Sequence, residues 1–219
     1  SPYIAVPDAL PPEVRAPDSI QFNLVCFSEA EARRLMAADA KEAIGRLCAA
    51  AIPDDASLFI NIGTTTEAVA RALADRRDLL VITNNLNVAN ILAGNHHCGV
   101  IVTGGMLRRS DGGLVGESTI DMVQQFKADY AVIGASAIDE DGALLDFDYR
   151  EVRVAQAIIA NARRTFLVAD SSKFARSAPV RIAHLRSIDE FFTDRIDSAA
   201  LREVCAQHGV QVHTTLAGG

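Results

Sequence analysis

No apolar stretch in the 219 residues approaches the roughly 20 needed to cross a bilayer as a helix, so no membrane-spanning helix is expected. The opening Ser1-Pro2-Tyr3-Ile4-Ala5 lacks the basic start and apolar block of a secretory signal, which makes a cytoplasmic protein the expectation. Cysteine is sparse: Cys26, Cys48, Cys98 and Cys205 stand far apart with no Cys-x-x-Cys step. That pattern supports neither a disulfide framework nor a zinc site, and it leaves the thiols as small buried apolar groups. Histidine adds no metal site. His96 and His97 are adjacent and would not face one ion, while His184, His208 and His213 lack partners at ligand spacing, so neither a metal nor a cofactor is expected. Positive charge is also short, with 21 Lys and Arg against 28 Asp and Glu and a net charge of −7. A surface that neutralises backbone phosphates needs a basic face, so any DNA role would need another domain.

What is present is a chain that is 49 % hydrophobic and long enough to bury a sizeable core. Five of its seven prolines (Pro2, Pro7, Pro11, Pro12, Pro17) fall within residues 1–28, which read as a linker or arm, with one domain from 29 to 219. Residues 29–51 read as a helix whose apolar stripe runs through Leu35, Met36, Ala40, Ala43, Ile44, Leu47 and Cys48. Strands and helices then alternate. Strands are expected at 58–62, 79–83, 99–103, 130–135, 165–169, 189–193 and 210–214, and helices at 66–74, 86–93, 118–126, 149–161 and 198–207. Near-continuous apolar runs such as Leu79-Leu80-Val81-Ile82 predict an α/β fold, a mostly parallel sheet covered by helices on both faces. In such sheets ligands sit beyond the carboxyl ends of the strands.

The residues just past the strands therefore carry the functional information. Between the apolar run Leu58 to Ile62 and the helical pattern from Val69 to Leu73 lie Gly63, Thr64, Thr65 and Thr66. A glycine and hydroxyls at a strand-to-helix junction can present unpaired N–H groups and the positive helix end to a phosphate or carboxylate, though Thr64 or Thr65 could serve only as the helix cap. Equivalent positions hold Asn84 and Asn85, then Gly104 and Gly105, then Asp170 to Lys173. Asp148 and Glu151 open the helix at 149–161 with the spacing of a capping box, and they could equally accept hydroxyls from a polyol. Arg108 and Arg109 lie in a glycine-rich segment, Gly104 to Gly113, that reads as a mobile loop able to close on an anion, although solvated loop charge is the commoner explanation of such arginines. The string Asp139-Glu140-Asp141-Gly142 reads as a hairpin turn.

In order and spacing, Ile62-Gly63-Thr64-Thr65, Thr83-Asn84-Asn85-Leu86, Gly104-Gly105, Gly116-Glu117, Asp146 to Glu151 and Asp170 to Phe174 resemble the effector-binding domain of DeoR-family transcriptional regulators, from about Ala38 to Asp194. The resemblance implies a sheet related to ribose-5-phosphate isomerase and coenzyme A transferases, reused as a sugar-phosphate sensor. The strings from Thr83 to Asn90, Arg109 to Gly113 and Leu144 to Tyr149 look most like the members that govern glycerol 3-phosphate metabolism. The resemblance also implies that the effector is a small phosphorylated metabolite, sn-glycerol 3-phosphate first. Gly63, Thr64, Thr65, Thr66 and Lys173 would hold its phosphate. Asn84, Asn85, Gly104, Gly105, Asp148 and Glu151 would meet its hydroxyls, with Arg108 and Arg109 as possible loop contacts. Also implied are a homo-oligomer and a helix-turn-helix DNA-binding domain, which residues 1–28 do not resemble. The family's helix carries a lysine four residues past the glutamate where this chain has Ala155, and the strand from Tyr130 to Ala137 lacks the isomerases' carboxylate pair. Both departures favour a non-catalytic sensor over an isomerase-like enzyme.

Overall fold

The structure, a computed structural model, describes residues 29–215 and the side chains of residues 35–215. The arm expected at residues 1–28 lies outside the described residues. Chain contacts divide the protein into a unit before Leu35 and a unit from Leu35 onward, and the sheets belong to the second.

The centre of that second unit is a parallel sheet formed by β1 (Ser57–Ile60), β2 (Leu79–Thr83), β3 (Cys98–Val102), β6 (Ala128–Ile133), β9 (Ala162–Val168), β11 (Glu190–Thr193) and β12 (Gln211–Thr214), in the order β12-β11-β9-β6-β1-β2-β3. Each of these falls on an expected strand. Successive side chains of a strand point to opposite faces, and both faces are apolar here. Leu58, Ile60, Val81, Val132, Phe166 and Phe192 pack under α1 (Glu29–Ala50), α2 (Thr64–Ala72) and α3 (Leu86–Leu92), through Ile44, Cys48, Val69, Leu73, Val88 and Leu92. Phe59, Ile82, Ala131, Ile133, Leu167 and Phe191 face α4 (Glu117–Val123), α5 (Tyr149–Ala160) and α6 (Ala199–Gln207), through Ile120, Val123, Val152, Ile158, Leu201 and Cys205. Such two-sided burial is what forces the apolar runs that give the strands away in sequence.

Three differences from the expectation matter. The stripe on α1 begins to pack only at Ile44, since Leu35 and Met36 are 47 % and 72 % exposed. Residues 104–115 form a hairpin, β4 (Met106–Leu107) against β5 (Leu114–Val115), closed by Arg108 N–H to the Gly113 carbonyl at 2.7 Å. A second, antiparallel sheet joins β7 (Ala137–Ile138), β8 (Ala143–Asp146) and β10 (Val180–His184), with β8 in the middle. The Asp139 to Gly142 string is indeed the turn between β7 and β8, with Gly142 N–H donating to the Asp139 carbonyl at 2.9 Å.

A candidate effector cleft at the carboxyl end of the sheet

Where β1, β6 and β9 end, a cleft of about 200 Å³ opens between α2, the β4–β5 hairpin, β8 and the start of α5. Gly63, Thr64, Thr65, Thr66, Arg108, Glu151 and Lys173, seven of the expected residues, line it together with Asp111, Ser136 and Asp146.

Its first wall is the turn into α2. The N-cap is Gly63, at φ 138° and ψ 150°, and no side chain caps the helix. The threonines are therefore not caps. Thr66 instead braces the turn from below, its Oγ1 donating to the carbonyls of Asn61 and Gly63, each at 2.7 Å. Glu67 N–H is the one that reaches the Gly63 carbonyl, at 3.0 Å. The N–H groups of the first turn are left facing outward at the positive end of the helix dipole, an arrangement suited to an anion. Thr64 is exposed and Thr65 buried.

Lys173 approaches the cleft from a 3-10 turn, Ser171–Ala175, that Asp170 caps by accepting from Ser172 N–H at 3.0 Å. Asp194 fixes the same turn by accepting from the N–H and Oγ of Ser171 at 2.6 and 2.7 Å. Burial, and then the Arg176 charge, hold the Lys173 ammonium below the usual lysine range, while Asp170 opposes the shift. A half-buried cation without a carboxylate in salt-bridge contact among the described residues is poised to pair with an anion.

Across the cleft the chemistry is acidic. Glu151, in the first turn of α5, turns away from the helix cap and meets Arg108 at 2.5 Å. Arg108 also touches Asp111 at 3.0 Å and Asp148 at 3.4 Å, so one guanidinium straps the hairpin to α5. Burial, and then the charge of Asp146, pushes the Glu151 carboxyl up to about 7 in spite of Arg108. Asp146 is itself 7 % exposed and accepts from Phe147 N–H at 2.6 Å and Ser136 Oγ at 3.0 Å. The cleft thus brings the N–H groups of the turn and Lys173 together with carboxyls that can accept hydroxyls.

The other six expected residues stand outside the cleft lining, and five of them have structural work. Asn84 Nδ2 donates to the Leu114 carbonyl at 3.1 Å, and Asn85 caps α3 by accepting from Asn87 N–H at 2.8 Å. Gly104 offers its carbonyl to Thr119 Oγ1 at 2.6 Å, and a side chain on Gly105 would overlap that hydroxyl. Asp148 is the N-cap of α5, accepting from Arg150 N–H at 2.8 Å; hydrogen bonding from the Arg150 side chain holds its carboxyl below the ordinary range. Arg109 does not line the cleft. Asp146 and Asp111 lie within the strings that resemble the family, yet nothing in their own type or spacing marks them for the site. Asp146 closes β8, a strand too short to read, and Asp111 looks like any turn aspartate until Arg108 folds back onto it. A wider groove of about 610 Å³ between α5 and β10 lies away from these strand ends.

Residues 36–195 match the family described as DeoR C terminal sensor domain. The chain belongs to the DeoR family. Among curated relatives of this sensor domain, the glycerol-3-phosphate regulon repressor of Escherichia coli (strain K12) is 44 % identical over 180 residues, which are 82 % of this chain and 71 % of that protein. The glycerol-3-phosphate regulon repressor of Haemophilus influenzae is 50 % identical over 153 residues, 70 % of this chain and 60 % of that protein. Also similar is the HTH-type transcriptional repressor CsqR of Escherichia coli, at 43 % over 172 residues, 78 % of this chain and 66 % of that protein. Among solved structures, eIF2B beta from Chaetomium thermophilum shares the fold at a TM-score of 0.55 and 16 % identity, covering 80 % of this chain and 56 % of that one. Ribose 5-phosphate isomerase A from Methanocaldococcus jannaschii aligns at a TM-score of 0.47 and 14 % identity, over 62 % of this chain and 54 % of that one.

Proposed function

We propose that the cleft is the effector site of a transcriptional repressor's sensor and that it takes a short polyol phosphate, sn-glycerol 3-phosphate first. The observation that carries this reading is the uncapped turn Gly63 to Thr66 lining, together with Lys173, one cleft of about 200 Å³. The phosphate sits on the N–H groups of that turn with Lys173 as its counter-charge, while Asp146 and Glu151 accept the hydroxyls. The names of the relatives supply the metabolite. No reaction is required of the site: the bound ligand changes how an attached DNA-binding domain is presented, in a cytoplasmic homo-oligomer. With a net charge of −7, the chain makes no DNA contact of its own.

Thermal melting tests the reading. A ligand that binds only the folded state adds about 2.7 kcal/mol at a hundredfold excess over Kd. The melting temperature is expected to rise with glycerol 3-phosphate and not with equimolar glycerol, and Thr64→Val, which deletes the exposed hydroxyl, should reduce the rise. An equal response to glycerol and its phosphate would remove the anion site. A response to a pentose or hexose phosphate alone would keep the sensor and replace its effector.

One observation favours a second reading. A carboxyl near neutrality, as Glu151 has, is what a general base in an isomerase needs. Yet Ala155 is buried in the core at 1 % exposure, leaving no lysine beside Glu151 on α5. A coupled assay for isomerisation of sugar phosphates separates the readings, with no turnover expected.

A further inference from the structure

Apart from Asp170 Oδ2, three buried side-chain oxygens lack a hydrogen-bond partner among the described residues: Asn61 Oδ1, Asn84 Oδ1 and Thr103 Oγ1. Their residues are only 2 %, 0 % and 2 % exposed. In the ladder of β1, β2 and β3, Ile60 pairs with Thr83 and Thr83 with Val102. The same register, carried one residue further, sets Asn61, Asn84 and Thr103 in a row across three neighbouring strand ends. Thr103 N–H still donates to the Thr83 carbonyl at 3.0 Å, so the ladder does continue that far on the β2–β3 side.

Buried polar atoms are nearly always paired, because each one left alone keeps its full desolvation cost. Amide oxygens only accept, and a hydroxyl both accepts and donates, so what this row lacks is chiefly donors. Over it runs the β4–β5 hairpin. Leu114 exchanges two hydrogen bonds with Asn84, N–H to carbonyl at 2.7 Å and carbonyl from Nδ2 at 3.1 Å. The loop of the hairpin is strapped to α5 by Arg108 and Glu151 at 2.5 Å. Asn61 joins the row to the cleft, since its carbonyl accepts from Thr66 Oγ1 of the anion turn.

We propose that this row is a second, hydroxyl-accepting pocket continuous with the cleft, roofed by the hairpin, that seats the ligand's terminal hydroxyl and leaves the one nearer the phosphate to Asp146 and Glu151. The proposal rests on the cleft being the effector site. The pocket selects a neutral, hydroxyl-bearing chain. A carboxylate or a second phosphate at that end meets the unpartnered oxygens of Asn61, Asn84 and Thr103, so phosphoglycerates and bisphosphates are rejected while polyol phosphates are kept.

Calorimetry with glycerol 3-phosphate and with inorganic phosphate, on wild type and on Thr103→Val, tests this. The substitution preserves shape and removes one orphan oxygen, so the ligand-free protein should melt at a higher temperature. Its affinity for glycerol 3-phosphate should fall by about tenfold, the loss of one hydrogen bond, while inorganic phosphate, which reaches only the anion turn, binds as before. A higher melting temperature with both affinities unchanged means that the row holds a buried water only, and it overturns the proposal. So does tight binding of 3-phosphoglycerate. Failure of both glycerol 3-phosphate and phosphate to bind wild type overturns the cleft reading itself, and this one with it. Should Thr103→Val not fold, Asn61→Leu poses the same question on the neighbouring strand.

Discussion

Replacing Glu151 by glutamine gives the sharpest test of the cleft's electrostatics. The carboxyl lies near Asp146 and 2.5 Å from Arg108, and burial has raised it from 4.5 to about 7. A raised carboxyl binds its proton more tightly in the folded than in the unfolded chain. Its contribution to stability is therefore fully present below about pH 4.5 and is lost as pH rises through about 7. A rise of that size corresponds to about 3 kcal/mol across the window, at about 1.4 kcal/mol per pH unit. Glutamine keeps an acceptor for Arg108 and cannot titrate. Urea unfolding monitored by circular dichroism at pH 5, 6, 7 and 8 should show wild type losing stability with rising pH more steeply than Glu151→Gln. The variant should be the more stable of the two at pH 8, by up to about 3 kcal/mol. Parallel profiles would refute the placement of a strained acid in the cleft.

The same geometry sets other outcomes. Lys173→Met should weaken glycerol 3-phosphate by about 1.5 to 3 kcal/mol, the range for a hydrogen bond to a charged group, and leave the far-ultraviolet spectrum unchanged; an unaltered titration would place the phosphate elsewhere. Because an anion in the cleft disfavours ionised Glu151 further, binding at pH 7 should take up protons, seen as a heat that varies with buffer ionisation enthalpy and vanishes in Glu151→Gln. Gly45→Ala should destabilise by about 1 to 3 kcal/mol, since its methyl would lie 2.6 Å from the Ala68 backbone where α1 crosses α2; a neutral melt would contradict that crossing. The chain itself should not shift operator-like DNA at physiological salt, for want of a basic face.

The central sheet is legible in the sequence because burial on both faces leaves a signal no other element imitates: Leu79 to Thr83 and Thr165 to Val168 are apolar on successive residues. The second sheet is not, because β7 has two residues and β8 four, too few for a period to show. Periodicity starts α2 two residues late for a related reason. Threonines suggest caps by type, yet Gly63 takes the cap position and Thr66 braces the turn through carbonyls that become neighbours only once the turn has formed. Half of the cleft is visible as residues just past strands. Asp111 and Asp146 are not, since their role is set by Arg108 and Glu151 approaching across 43 positions of sequence. Asn84 and Asn85 show the converse. They stand where a ligand would be met, and the backbone uses them for a cap and a hairpin contact.

The central claim, an anion site on the turn Gly63 to Thr66, is tested most directly by backbone amide nuclear magnetic resonance of the protein titrated with glycerol 3-phosphate and, separately, with glycerol. The amide signals of Thr64, Thr65 and Thr66 are expected to move first and furthest with the phosphate and to stay in place with glycerol, because the proposed site puts the anion on the first-turn N–H groups of α2, which no side chain caps. Saturable shifts confined to the groove of Arg181 and Arg186, with these three amides unmoved, would contradict it.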